Sequence, residues 1–406
     1  MKPSLSYLMI CATILASAML LNSNAGNADQ KTPGLPGARP EIDASQYPSL
    51  QAAFDALPVT GGVVRLPAGE FTISKPLVIT QEDVLITGAG TATHIKNENE
   101  NGEPGLMIHP NPDSSEEKPR IWRVQLQNFR ITGNEKSGHG ILAKHVQEIF
   151  IHGVTVSYHG GDGIQLDHCF EDPRVCDSLF TYNKKIGLHL IGCHDIIVSA
   201  NQFEENLDAL HCIDGFNLCM TGNNIDDHLQ HGVVIENTYG SVLSGNMIEE
   251  CKNWAVILDR DCYGNTISAN VIAHNGTGID LRDAHGCAVS ANTFTLMGEH
   301  AVRIGPNSGR ITLTGNNFSN SFIGEASVKR RKNDLAAAGL TLDGTKDVVI
   351  SGNVFSSVKP KAVEVVQPST RILFTDNVLT DVESDHGKLQ ESRIDNILHG
   401  SAPSEK

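Results

Sequence analysis

A short run of the form small–apolar–x–apolar recurs ten times, and its spacing constrains this chain more than any other feature. The copies begin at Gly140, Gly163, Gly187, Ala209, Gly232, Ala255, Gly278, Ala301, Gly339 and Ala362. They lie 22 to 24 residues apart, except for one interval of 38 that contains an insertion between Ser319 and Ala338. A second marker, Asn-x-apolar, runs in parallel at Asn201, Asn223, Asn246, Asn270, Asn292, Asn316, Asn353 and Asn377. Each Asn follows a strand-like stretch such as Ile196 to Ser199 or Ile311 to Thr314. Asn tolerates left-handed backbone better than any residue but Gly, so it is expected to form a one-residue bend between strands. Stacked on successive turns, these amides predict a hydrogen-bonded ladder.

Each repeat reads as strand, loop, strand, bend, strand, loop. Ankyrin, tetratricopeptide and armadillo repeats are longer and helical, and leucine-rich repeats need their own Leu/Asn frame. What remains is an all-β fold, a right-handed parallel β-helix of about eleven turns rising about 4.8 Å each. Its columns of Ile, Leu, Val and Phe make one continuous interior over residues 42–382 rather than two domains. Open end strands need covering. At the N-terminal end, Leu50, Ala53, Phe54 and Leu57 fall at helical spacing and predict an amphipathic capping helix.

The flanks are of another character. Lys2, an apolar core from Tyr7 to Leu21 and a small-x-small site ending at Ala25 read as a signal peptide over 1–25. A linker over 26–41 and a polar tail over 383–406 complete the division, with the insertion at 319–338. The mature protein is expected to be secreted or periplasmic, without a membrane span and monomeric. Eight cysteines follow the leader, none in a CxxC pair, which argues against a zinc knuckle and leaves disulfides or buried thiols both open. With 31 Lys+Arg against 47 Asp+Glu the formal charge is −16, which argues against nucleic acid as a partner.

In each copy of the main repeat the x position faces outward. That column reads Leu142, Gln165, His189, His211, Val234, Ile257, Asp280, Arg303, Thr341, Glu364. Around it fall Asp162, Asp167, His168, Lys184, Lys185, Asp208, Asp214, His231, Trp254, Asp259, Arg260, Arg282 and Asp283. Imidazoles on consecutive turns, ringed by carboxylates, point to chemistry on this face. Stacking alone, or a self-neutralising ion network at Asp280, Arg282, Asp283 and Arg303, is the competing explanation. Lys329 to Lys332 is the one basic run of the chain.

The stretch from Gly61 through Pro67 and Gly69 to Phe71, with the turn Gly88-Ala89-Gly90, resembles the opening of the pectate-lyase-like β-helix superfamily. Farther on, His231 to Glu236, Trp254 to Arg260 and Thr277 to Leu281 look like the β-helix of secreted mannuronan C5-epimerases. In that family an Asp-Pro-His motif one turn earlier carries the catalytic histidine. The corresponding turn here is Asp208-Ala209-Leu210-His211, without the Pro and one residue longer. Asn237 stands where that family has a substrate-holding Arg. The segment from Asp162 to Leu166 is similar to polygalacturonases, but Lys185 to Leu188 replaces their paired aspartates.

Such epimerases, and the lyases of uronic-acid polymers, begin by removing the proton α to a carboxyl group. This needs a base, a cation facing the carboxylate and a proton donor. On this reading His211 is the base, its tautomer set by Asp208 or Asp214, and His189 is the acid or a binding group. Lys185 and Lys184 neutralise the carboxylate. Gln165, His168, His231, Trp254, Asp259, Arg260, Asp280, Arg282 and Arg303 bind polysaccharide. Asp162 and Asp167 are candidate calcium ligands, because calcium prefers oxygen donors. A glycoside hydrolase using Asp259 with Asp280, or Asp280 with Asp283, and a non-catalytic glycan binder are the alternatives.

Overall fold

The computed structural model describes residues 34–319 and 338–389. The expected leader, all but the ends of the 319–338 insertion including its basic run, and the end of the tail lie outside the described residues. The chain coils through three long parallel sheets. One turn runs Ile186–Ile191, Ile197–Ser199 and Gln202–Glu204, and the next opens with Asp208–Ile213. The sheet carrying the small–apolar–x–apolar strands is called the groove sheet below.

Its register is the one that the repeat implies. Gln165 pairs with His189, His189 with His211, Ile257 with Asp280, and Asp280 with Arg303. Pairing resumes across the insertion, where Arg303 meets Thr341. Inward residues of every strand are buried in one core, including stacked Phe294, Phe318 and Phe355 at centroid spacings of 4.8 and 4.6 Å. The coil makes about 13 turns, judged by the 13 strands of one sheet, rather than the expected eleven. The difference lies at the N-terminal end, where groove-sheet strands Leu77–Ile79, Leu106–Ile108 and Ile141–Lys144 are separated by longer, uneven loops that hide the period.

Helix is almost absent. Leu50–Asp55 caps the first turns, with Ser49 accepting the Ala52 N–H and Leu50, Ala53 and Phe54 buried. No helix among the described residues is long and apolar enough to cross a membrane. The eight described cysteines are all free, six of them buried. Burial pushes the Cys212 and Cys262 thiols up to about 12, as befits inert core residues.

The asparagine ladder forms, but the bend is not on the asparagine. Positive φ belongs to the preceding residue: Ala200, Gly222, Gly245, Ala269, Ala291, Gly315, Gly352 and Asp376. Each Asn then turns inward, and the Nδ2 of every one but Asn377 donates to the Oδ1 of the Asn one turn on, as Asn246 does to Asn270 at 3.0 Å. That same Oδ1 also accepts the neighbouring backbone N–H. Burying an amide is tolerable only when its donors and acceptors are satisfied, and this geometry satisfies them.

A second inward column occupies the corner that leads into the groove sheet, formed by His159, Asn183, Asn206, His228, Cys251 and Asn275. Its histidines are fully buried, and burial pushes both pKa values down to about 4. The unfolded chain binds these protons near pH 6.5, so stability is complete above that pH and falls as the pH drops toward about 4. Each histidine is expected to remove about 3 kcal/mol across that window. Urea melts between about pH 7 and about pH 4 test this. The double variant His159→Asn/His228→Asn, which suits the column, should flatten the profile.

Candidate functional site

The outward face of the groove sheet carries three columns. A leading column holds His139, Asp162, Ile186, Asp208, His231, Trp254, Thr277 and His300. The middle column is the x position, and a trailing column holds Asp167, Ile191, Ile213, Glu236, Asp259 and Arg282. The face is not uniformly wet. Ile257 and Asp280 point outward yet are only 2% and 1% exposed, because neighbouring side chains close over them.

The histidine pair expected from the sequence is assembled. His189 and His211 stack with centroids 5.3 Å apart and planes 16° off parallel. Asp162, buried at the head of the preceding strand, lies with Oδ2 3.1 Å from His189 Nδ1, while its Oδ1 accepts the Ile186 N–H at 3.1 Å. Donation from Nδ1 to Asp162 fixes the His189 ring and leaves Nε2 as its free nitrogen. Burial pushes the Asp162 carboxyl up, but hydrogen bonds and charge from His139 and His189 outweigh it and hold the group well below the ordinary carboxylate range. His139 Nδ1 sits 3.2 Å from the Asp162 N–H and 3.3 Å from its Oδ2. One nitrogen cannot accept from the first and donate to the second at once. Which of the two bonds forms depends on whether Nδ1 carries a hydrogen.

His211 is oriented by a different group from those expected. Its Nε2 lies 3.3 Å from Glu236 Oε2, which Arg260 also contacts at 3.3 Å. Asp208 is buried and its Oδ1 accepts the His231 N–H at 2.8 Å; burial pushes its carboxyl up. Asp214 points away and accepts from Asn237 Nδ2. Burial, and then repulsion from His189, pushes His211 below the usual imidazole range, against the opposing pull of Glu236. A ring kept in its neutral form in this way is suited to act as a base.

The remaining residues fall into three groups. Lys184 pairs with Glu135 at 2.8 Å, while Lys185 is exposed and makes no ion pair among the described residues. Gln165 stands beside His189 in register. His168 is exposed at the far end of its strand and bonds Asp167 at 2.6 Å, away from the histidine pair. Asp167 closes the strand that Asp162 precedes, so the two carboxylates are separated by the strand's length and do not assemble the calcium site expected of them. Farther along, Asp280 accepts from Arg282 Nε at 2.6 Å and Arg303 at 3.3 Å; Arg303 also meets Asp343, and Arg282 lies 3.8 Å from Asp259. Both Asp280 oxygens are engaged, which leaves it poorly placed to serve as a hydrolase acid with either Asp259 or Asp283.

Beside this face, His231, Lys252, Trp254, Thr277 and Glu299 line a cavity of about 460 Å³. A second cavity of about 560 Å³ holds Lys184, Leu229 and the stacked tyrosines Tyr158 and Tyr182. The sequence shows Glu236 on the outward face without giving it a role, and does not single out His139 or Lys252. The signal for His139 is positional, since it stands one turn before Asp162 in the leading column.

No curated protein matches this sequence. The family described as right handed beta helix region matches residues 175–318, and that described as periplasmic copper-binding protein (NosD) matches residues 116–212. Among solved structures, the chain is similar to the A-module of the Azotobacter vinelandii mannuronan C-5 epimerase AlgE4. That match has a TM-score of 0.66 at 15% identity and covers 82% of this chain and 99% of that one. A periplasmic alginate epimerase, AlgG, matches with a TM-score of 0.57 at 16% identity, covering 84% of each chain. Tailspike protein 3 of bacteriophage CBA120 matches with 0.55 at 10% identity, covering 95% of this chain and 69% of that one.

The copper description does not fit the residues present. Two groups of potential ligands converge among the described residues, Asp261/Asp283/His285 and Asp226/Asp227/Glu250, and both lie outside the matched segment. They are also dominated by oxygen donors, whereas copper favours imidazole and sulfur. At these identities likeness is a statement about architecture: the chain is a right-handed parallel β-helix, sharing its coil with alginate epimerases and a phage tailspike.

Proposed function

We propose that this protein is an exported enzyme that acts on a uronic-acid polysaccharide by removing the proton α to a carboxyl group. The observation that carries the reading is the stacked His189/His211 pair, one ring oriented by buried Asp162 and the other by Glu236. His211 takes the proton from the carbon next to the carboxyl group. Lys185 borders the pair and faces the substrate carboxylate, whose charge grows as the carbanion forms. His189, with Asp162 against its Nδ1, balances the charge and returns a proton.

Both imidazoles rise from the same sheet face, so they meet the sugar from the same side. That favours β-elimination, in which the proton leaves C5 and the C4–oxygen bond breaks, with His189 protonating the departing oxygen. Epimerisation needs a donor on the opposite face of the ring. Export is supported by the N-terminal leader and by the periplasmic descriptions of matched proteins. The mature protein is taken to act as a monomer.

Purified protein incubated with alginate, pectate and neutral glycans tests the reading. A lyase yields unsaturated, ultraviolet-absorbing ends on an acidic polymer. New reducing ends without that absorbance mean hydrolysis, and a changed sugar ratio without cleavage means epimerisation. Parallel assays with and without chelator test calcium: dependence on it moves carboxylate neutralisation from Lys185 to the ion.

A further inference from the structure

We propose that the cavity at Trp254 is a binding subsite for a second uronate unit of the same polymer, with Lys252 pairing its carboxylate and the indole covering its ring face. The inference rests on the proposed function and deepens it by assigning where the chain continues beyond the reacting sugar. The cavity begins one turn past His211, at His231, whose backbone N–H is held by Asp208 at 2.8 Å. It extends over the next turns to Thr277 and Glu299, so a polymer entering it from the histidine pair runs along the axis of the rod.

Three features give the cavity its ligand class. The first is a positioned aromatic wall. Trp254 is half-buried, lies 14° from parallel with His300 at 6.3 Å, and has the Arg282 guanidinium 6.0 Å from a ring centroid. A held indole presents apolar area to the C–H face of a sugar at little entropic cost. The second is an available cation. The arginines of the neighbouring face are committed to carboxylates, Arg260 to Glu236, Arg282 to Asp280, and Arg303 to Asp280 and Asp343. Lys252 is exposed and makes no ion pair among the described residues, in a chain of formal charge −16. An unpaired lysine is a local complement to an anionic group on a ligand, against the overall charge of the chain.

The third feature is space. Gly276 and Gly298 succeed Lys252 at the same point of the next two turns and put no side chain into the cavity. Backbone packing holds them as glycine: a Cβ would stand 2.3 Å from the Lys252 carbonyl oxygen at Gly276, and 2.6 Å from the Gly276 carbonyl oxygen at Gly298. Glu299 on the far wall is an acceptor for ring hydroxyls.

Calorimetric titration of the full chain with oligomannuronate, oligogalacturonate and a neutral cello-oligosaccharide of equal length tests the assignment. Lys252→Gln should weaken binding of an acidic oligomer about tenfold and leave the neutral one unchanged. Trp254→Ala should weaken acidic binding by at least as much, about tenfold or more. Acidic oligomers that bind Lys252→Gln with wild-type affinity, or that fail to bind the wild-type protein, overturn the subsite. So does an equal loss for acidic and neutral oligomers in Lys252→Gln. His211→Ala separates the two claims, because it should lose turnover and keep oligomer affinity. If the Lys252 pattern holds while no acidic polymer is turned over, the subsite stands and the catalytic reading fails. If turnover depends on His211 while Lys252→Gln and Trp254→Ala bind normally, the catalytic reading stands and the subsite fails.

Discussion

Replacing His211 with alanine is expected to lower turnover of the acidic polymer by about 10²–10⁴, the usual worth of a positioned general base. The fold should hardly notice. His211 is outward and half-buried, and Glu236 keeps Arg260 when the imidazole is gone, so the change should cost under about 1 kcal/mol of stability. His189→Ala should be nearly as damaging to rate. Asp162→Asn should lower rate by releasing the His189 ring while retaining a polar partner for the Ile186 N–H. His231→Ala should do less, since its Nδ1 is turned to the Trp254 N–H. The pH profile discriminates further. Burial and His189 keep His211 below the ordinary imidazole value, so its basic form persists under neutrality and activity should decline only below about pH 6.5. Full activity in His211→Ala would remove the pair from the mechanism and turn attention to the ion network around Asp259 and Arg282.

The two imidazoles were legible in the sequence because strand alternation alone sends the x position outward, and a fixed period then stacks it. Their partners were not. Asp208 and Asp214 flank His211 in sequence, but side chains in a parallel stack meet their neighbours on adjacent turns. Glu236, one turn on and two residues along, therefore reaches the ring that the nearer carboxylates do not. The leading column also has a backbone task that composition cannot reveal. Asp162 and Asp208 each accept an N–H from the following turn, which leaves Asp208 unavailable to His211. The asparagine period likewise predicted the ladder and misplaced the bend. Ala200, Ala269 and Ala291 take the left-handed conformation despite having a Cβ, because the amides that follow are held on both sides. The second inward column escaped notice because it mixes His, Asn and Cys, residues alike only in carrying polar side-chain atoms into a buried corner.

The ladder carries the largest stability effect expected of a single substitution, and Asn270 is its most informative rung. Its Oδ1 accepts from the backbone and side chain of Asn246 at 2.9 and 3.0 Å, and its Nδ2 donates to Leu243 O and Asn292 Oδ1. Asn270→Ala strands the Asn246 N–H and removes a donor from Leu243, both in the dry interior, besides leaving a small void. At about 1–3 kcal/mol for each buried group left unpaired, the loss should reach about 3–5 kcal/mol, visible as a large fall in the midpoint of denaturant unfolding. Asn377 provides the comparison. It ends the described ladder, receives from Asn353 but has no Asn beyond it, and is only half-buried, so water can replace its amide. Asn377→Ala should cost well under half as much. A rod is stabilised by each turn's contact with the next, so weakening a central rung should also loosen coupling between the halves and broaden the unfolding transition. Equal losses at Asn270 and Asn377 would mean that the amides merely fill space, with their hydrogen bonds adding nothing over those made to water.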